Sequence, residues 1–240
     1  KRSGKNTFRY FDPVMQQELA QRSTLETDLR RAINDGQFSL YYQPQVDEQG
    51  HLLGVEALIR WYHPDLGLVP PVQFISLAEE TDIILSIGRW VLETACAQLK
   101  SWKDDPATEN LTIAVNVSAK QFYQPNFVDE VKEIITCYGI EPSKLKLELT
   151  ESMVLKKIET TIGKMLSLKA LGINLSMDDF GTGYSSLSYL RILPFDQIKI
   201  DKSFIEGILE NRTDAFIVSS VLQLGRLIGI NVIAEGVETS

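Results

Sequence analysis

The sequence predicts an α/β fold of parallel βαβ units, and three observations carry that expectation. Short β-prone runs alternate with longer helical patterns over most of the chain. The first two runs are separated only by the turn-like DEQG, so they read as an antiparallel hairpin. Nearly every run has one aliphatic and one polar face.

The elements follow in order. From Asp12 to Asp35 the segment DPVMQQELAQRSTLETDLRRAIND is charged, lacks glycine, and brings Met15, Leu19, Leu25, Leu29 and Ile33 round at helical intervals, which predicts a connecting helix over 12–35. The hairpin comes next, FSLYYQPQV at 38–46 and HLLGVEALIRWY at 51–62. Helices are expected near 71–80 and 83–103, a strand TIAVNVS at 112–118, and a helix near 125–138. The rhythm then repeats as strand 144–151, helix 155–171, strand 174–179, short helix 184–192, strand 197–202, helix 213–228 and strand 230–236. Seven strands are one short of a closed eight-stranded barrel. The pattern fits either an open doubly wound sheet or a barrel whose last strand lies beyond Ser240.

Composition narrows the chemistry. A hydrophobic content of 44 % suits a packed core, and 24 basic against 32 acidic side chains give a net charge of −8, the wrong sign for gripping polymeric nucleic acid. The two cysteines, Cys96 and Cys137, fall in helical segments, so a reducing, cytoplasmic setting is expected rather than a disulfide framework. The N-terminal KRSGKNTFRYFD lacks a signal peptide's apolar core, and the most apolar window, IILSIGRWVL, is broken by Arg89. A membrane anchor elsewhere in a longer parent protein is compatible with this. With only His51 and His63 in the chain, histidine-rich hydrolase centres are excluded and other imidazole-based sites are disfavoured, which turns attention to carboxylates, amides and lysine for any hydrolysis.

Strand parity sorts the faces. Val55, Ala57, Ile59 and Trp61 oppose Glu56, Leu58 and Arg60. Ile113, Val115 and Val117 oppose Asn116, and the leucines at 145, 147 and 149 oppose Lys146, Glu148 and Thr150. Ile198 and Ile200 oppose Lys199 and Asp201, and Val232 and Ala234 oppose Glu235. The polar residues lie toward strand C-termini, where α/β sheets and barrels bind ligands. Glu56, Asn116, Glu148, Asp178, Asp179, Lys199 and Glu235 therefore converge on one rim if the strands are parallel. So many hard oxygen donors would repel without cations and suit Mg2+ or Mn2+. In SMDDFGTGYSS, Asp178 and Asp179 close a strand and diverge, while Gly181 and Gly183 let the following loop turn tightly.

The blocks EALIRW, YYQPQV, NVS, ELTES, DDFGTGYSSL, LPFDQIKIDKSF and AEGVET resemble, in order, those of EAL-domain cyclic-di-GMP phosphodiesterases. The resemblance implies a TIM-like (β/α)8 barrel with its first strand antiparallel, the last strand being absent from 36–240. It also implies hydrolysis of one phosphodiester of cyclic-di-GMP to linear pGpG. On that pattern Glu56, Asn116, Glu148, Asp178 and Asp179 hold two metal ions, with Glu235 near the second, and Lys199 contacts or deprotonates the attacking water. Glu56 is counted with the catalytic residues, as is Glu151, which braces the loop after Asp178. Gln43, Leu58, Arg60 and Asp201 line the substrate. GKNTFRYFD resembles the tail of a GGDEF diguanylate-cyclase domain over residues 1–11, and the family pattern implies a homodimer. The alternatives are a receptor that binds cyclic-di-GMP without cutting it, or a scaffold for the neighbouring cyclase domain.

Plainer readings stand beside these. Glu56 alone would be a solvated strand-end acid, and Lys199 with Asp201 an internal ion pair. GTGYSS is rejected as a dinucleotide fingerprint because it lacks the third glycine. Trp61 reads as core, His63 as a turn residue, and Glu79, Glu80 and Asp82 as a solvated helix end.

Overall fold

The computed structural model describes residues 13–181 and 190–237. The chain opens with α1 (Pro13–Ala32), whose Leu29 and Ala32 are fully buried, so the predicted connecting helix packs on the core by its C-terminal half. The hairpin β1 (Phe38–Val46) and β2 (Leu52–His63) follows, with Tyr41 opposite Leu58 and Gln43 opposite Glu56. A three-residue strand β3 (Gly67–Val69) pairs antiparallel with the far end of β2. Sequence pattern does not reveal it, since three residues are too few to display a period.

Two helices, α2 (Pro71–Glu80) and α3 (Ile83–Trp102), return the chain to β4 (Thr112–Asn116), which lies parallel to β2. Then come α4 (Ala119–Phe122), α5 (Phe127–Tyr138), β5 (Leu145–Thr150), α6 (Glu151–Lys156), α7 (Ile158–Ala170) and β6 (Asn174–Phe180). The chain continues with β7 (Gln197–Ile200), α8 (Lys202–Glu206), α9 (Arg212–Ile228) and β8 (Asn231–Ala234). The one helix predicted at 155–171 is two, broken at Lys157. The helix expected at 184–192, and Gly183 with it, lie almost wholly outside the described residues.

All strands share one sheet in the order β1-β2-β4-β5-β6-β7-β8, parallel from β2 onward along that path. The sheet curls into a half-barrel of mixed α/β architecture. Its convex face is the aliphatic one predicted by parity: Ile113, Leu145, Leu147, Leu149, Leu175 and Ile198 are 0–1 % exposed beneath the helices. Trp61 is fully buried in an aromatic cluster with Phe38 and Phe74.

His63 shapes its turn and does more. Its Nδ1 accepts the backbone N–H groups of Asp65 and Leu66 at 3.1 and 3.2 Å, while Nε2 lies 3.2 Å from Asp28 of α1. With Nδ1 accepting, the proton sits on Nε2, and the ring bolts α1 to the end of β2. Glu80 and Asp82 are exposed, but each takes a cation, Arg22 and Lys120 respectively. Both cysteines are free thiols. Among the described residues no helix is long and apolar enough to cross a membrane.

Candidate active site

The concave face of the half-barrel gathers the polar ends of β2, β5, β6, β7 and the residue just after β8. At its centre is Lys199, 2 % exposed. Its Nζ lies 3.0 Å from Glu56, 2.8 Å from Glu148, 3.1 Å from Asp178 and 2.6 Å from Glu235. These partners are far apart in the chain and meet only because parallel strands in register bring their C-terminal ends together. Asn116, next to Glu148 across β4 and β5, donates from Nδ2 to Glu56 at 2.8 Å. That bond leaves the amide oxygen as a donor atom for a cation.

Burial pulls the Lys199 ammonium toward neutrality, yet attraction by Glu148, Asp178, Glu56 and Glu235 exceeds it and holds the pKa above the ordinary lysine value. In this structure Lys199 is therefore a fixed cation. The carboxyls move the other way. Burial pushes Glu148 up to about 8 and Glu235 up to about 7, only partly opposed by Lys199, and burial followed by repulsion from Asp178 raises Asp179.

The two adjacent aspartates differ in backbone and contact: Asp178 reaches Lys199 at 3.1 Å. Asp179 sits at φ +55°, in the left-handed region that aspartate tolerates better than most residues, and its backbone N–H is accepted by Asp178 Oδ1 at 3.1 Å. Two residues on, Gly181 has φ +99°, and a Cβ there would stand 2.8 Å from the Phe204 ring. Glycine is required by both conformation and space. Glu151, at the start of α6, accepts the Gly181 N–H through Oε2 at 3.1 Å and so ties the loop to the neighbouring strand end.

Gln43 and Leu58 lie on the same concave face, and Arg60 lies one step beyond Leu58. Arg60 donates to the Ile59 carbonyl at 2.9 Å, and its Cζ lies 5.5 Å from the Tyr41 ring centroid. Asp201 has a different local task from the ion pair with Lys199: it caps α8, its Oδ1 accepting the Ser203 N–H at 3.0 Å. Lys146, beneath the acidic rim, was legible only as a polar-face residue. It donates to Gln197 at 2.8 Å in a second buried polar layer.

The donor set fits a divalent cation. Four carboxylates face one ammonium, and Oε1 of Glu148 is buried with no hydrogen-bond partner among the described residues. Such an atom is costly unless something positive meets it. Among the described residues no three acids already converge as an ion cage; they close on Lys199 instead. Oxygen donors without sulfur or imidazole suit Mg2+ or Mn2+.

The model of the EAL domain matches residues 26–240. The chain belongs to the EAL-domain family. It is 43 % identical over its whole length to the bifunctional diguanylate cyclase/cyclic di-GMP phosphodiesterase MucR of Pseudomonas aeruginosa, covering 35 % of that protein. It is 36 % identical over its whole length to the cyclic di-GMP phosphodiesterase PdeR of Escherichia coli, covering 36 %. The chain thus spans about a third of the length of these curated relatives. Among solved structures, the PaMucR phosphodiesterase in complex with c-di-GMP superposes with a TM-score of 0.87 at 45 % identity, over 90 % of this chain and 88 % of that one. EAL neighbours of this kind are TIM-like barrels, and the half-barrel here, with its antiparallel first strand, is that architecture without a closing strand among the described residues.

Proposed function

We propose that this EAL domain hydrolyses one phosphodiester of cyclic-di-GMP to give linear pGpG. The observation that carries the reading is the buried acid cluster around Lys199, with its unpartnered Glu148 oxygen, at the concave end of the half-barrel. The likeness to phosphodiesterases of the same family supports it.

Glu56, Asn116, Glu148, Asp178 and Asp179, with Glu235, are the residues that would hold two Mg2+ or Mn2+ ions. When bound, such ions supply the positive charge that acidifies water and polarises phosphoryl oxygens. The chain's own groups do the rest. Lys199, an ammonium among carboxylates, orients the attacking water through its N–H groups; added positive charge beside it would lower its pKa and let it take a proton. Arg60, for which no carboxylate partner occurs among the described residues, would clamp a phosphate with its planar fork. Gln43 and Leu58 line the adjoining wall. Glu151, by accepting the Gly181 N–H, would brace the chain just after β6 and so hold Asp178 and Asp179 at that strand's end.

The parent protein, on this reading, joins this domain through α1 to a GGDEF-like unit, of which residues 1–11, outside the described residues, are the tail; the bifunctional MucR supports that arrangement. Homodimerisation is part of the same proposal.

Incubating the protein with cyclic-di-GMP and Mn2+ or Mg2+ should yield pGpG, and chelation should stop it. Lys199→Ala should lower kcat by about 10²-fold or more, the usual scale for a positioned proton-transfer group. Absence of linear product from a folded, metal-replete protein overturns the proposal.

A further inference from the structure

β2 is longer than the sheet requires. Its pairing with β4 covers only Gly54 to Ala57, whereas its pairing with β1 continues to Trp61 and β3 joins it from Trp61 to His63. A three-stranded ribbon therefore continues past the paired rim of the half-barrel. On the face of that ribbon shared with Glu56 lie Tyr41, Leu58, Arg60 and Tyr62.

Two of these are rings turned toward solvent: Tyr41 is 50 % exposed and Tyr62 45 % exposed. Single exposed aromatics are ordinary on a protein surface. These two differ because they are organised and placed. Their hydroxyls hydrogen-bond to each other, and Arg60 lies over the Tyr41 ring. Tyr41 stands opposite Leu58, one side-chain step or about 7 Å along the strand from the Gln43 and Glu56 pair. That is the scale on which a base follows a phosphate within one nucleotide.

We propose that Tyr41 is the residue on which a purine base of the substrate stacks. This rests on the cyclic dinucleotide reading above. Arg60 then has two partners at once, the ring beneath it and a phosphate at its fork, so base and phosphate are located by one contiguous surface. An aromatic face accepts any base, so the shelf contributes affinity rather than a choice between purines.

Steady-state kinetics with cyclic-di-GMP and Mn2+, together with equilibrium binding of the same nucleotide, test this on the wild type and on Tyr41→Ala and Tyr41→Phe. Loss of the stacking face in Tyr41→Ala should raise KM and weaken binding about tenfold or more, the loss falling mainly on KM rather than kcat. Tyr41→Phe keeps the face and should restore binding to within a few-fold of wild type. If the wild type turns over and Tyr41→Ala matches its KM, the shelf is overturned and the hydrolase reading stands. A Tyr41→Phe as weak as Tyr41→Ala also overturns stacking, since the hydroxyl would then be the contact. A wild type that neither binds nor cuts the nucleotide overturns both.

Discussion

At the scale of single residues, the site sets four carboxylates against a single ammonium. The folded-state pKa values of Glu148 and Glu235 lie above their ordinary 4.5, near 8 and near 7. The fold thus retains protons that the unfolded chain releases, and the stability these groups contribute is present at low pH and lost as pH rises through 7 and 8. In EDTA the melting temperature should accordingly fall between about pH 5 and pH 8.5, and Mg2+ should raise it more at the upper end, where both carboxylates are ionised. Differential scanning fluorimetry checks this; an equal Mg2+ effect at both ends contradicts it. Lys199→Met should make the matter worse without metal, costing roughly 3–5 kcal/mol in urea unfolding because four acids lose their ammonium, and Mg2+ should recover part of that loss.

The elements explain why so much of this was readable and why some was not. Alternation in β2, β4, β5 and β7 separates core from rim by parity alone, because a strand buried on one face must repeat every two residues. Glu148 and Lys199 were legible on that ground as rim residues. Their contact was not, since 51 positions separate them and only the register of β5, β6 and β7 joins them. β3 and α8 are too short to show periodicity, and the break at Lys157 has no proline or glycine to announce it. Asp201 was legible as a rim residue by parity, and its charge does reach Asp179; its second task, capping α8, was not read from the sequence. The close approach of β2 and β4 gives a test at this scale. A Cβ on Gly54 would sit 2.2 Å from Thr112 Oγ1 and 2.7 Å from the Thr112 carbonyl oxygen. Gly54→Ala must therefore part the strands that carry Glu56 and Asn116. It should cost about 1–3 kcal/mol in urea unfolding and reduce turnover further, through displacement of Glu56; wild-type values for both would show that the pair can relax freely.

Taken as a whole, the molecule is a half-barrel with a helix pinned to it. The pin is His63, whose ring satisfies two backbone amides and reaches Asp28 of α1. His63→Ala should destabilise the protein by about 1–3 kcal/mol, because two turn N–H groups lose their acceptor, and Asp28→Ala by about 1 kcal/mol; thermal melts of the two variants that fail to differ would contradict this assignment. The same strand that ends in His63 carries Arg60, Leu58 and Glu56 along its length. A twist applied to the helix at Asp28 would accordingly pass, without an intervening loop, into the strand that carries Arg60, Leu58 and Glu56. The lever is short: Arg60 is three residues from His63 and Glu56 four residues beyond Arg60, so nothing flexible lies between the helix contact and the concave face.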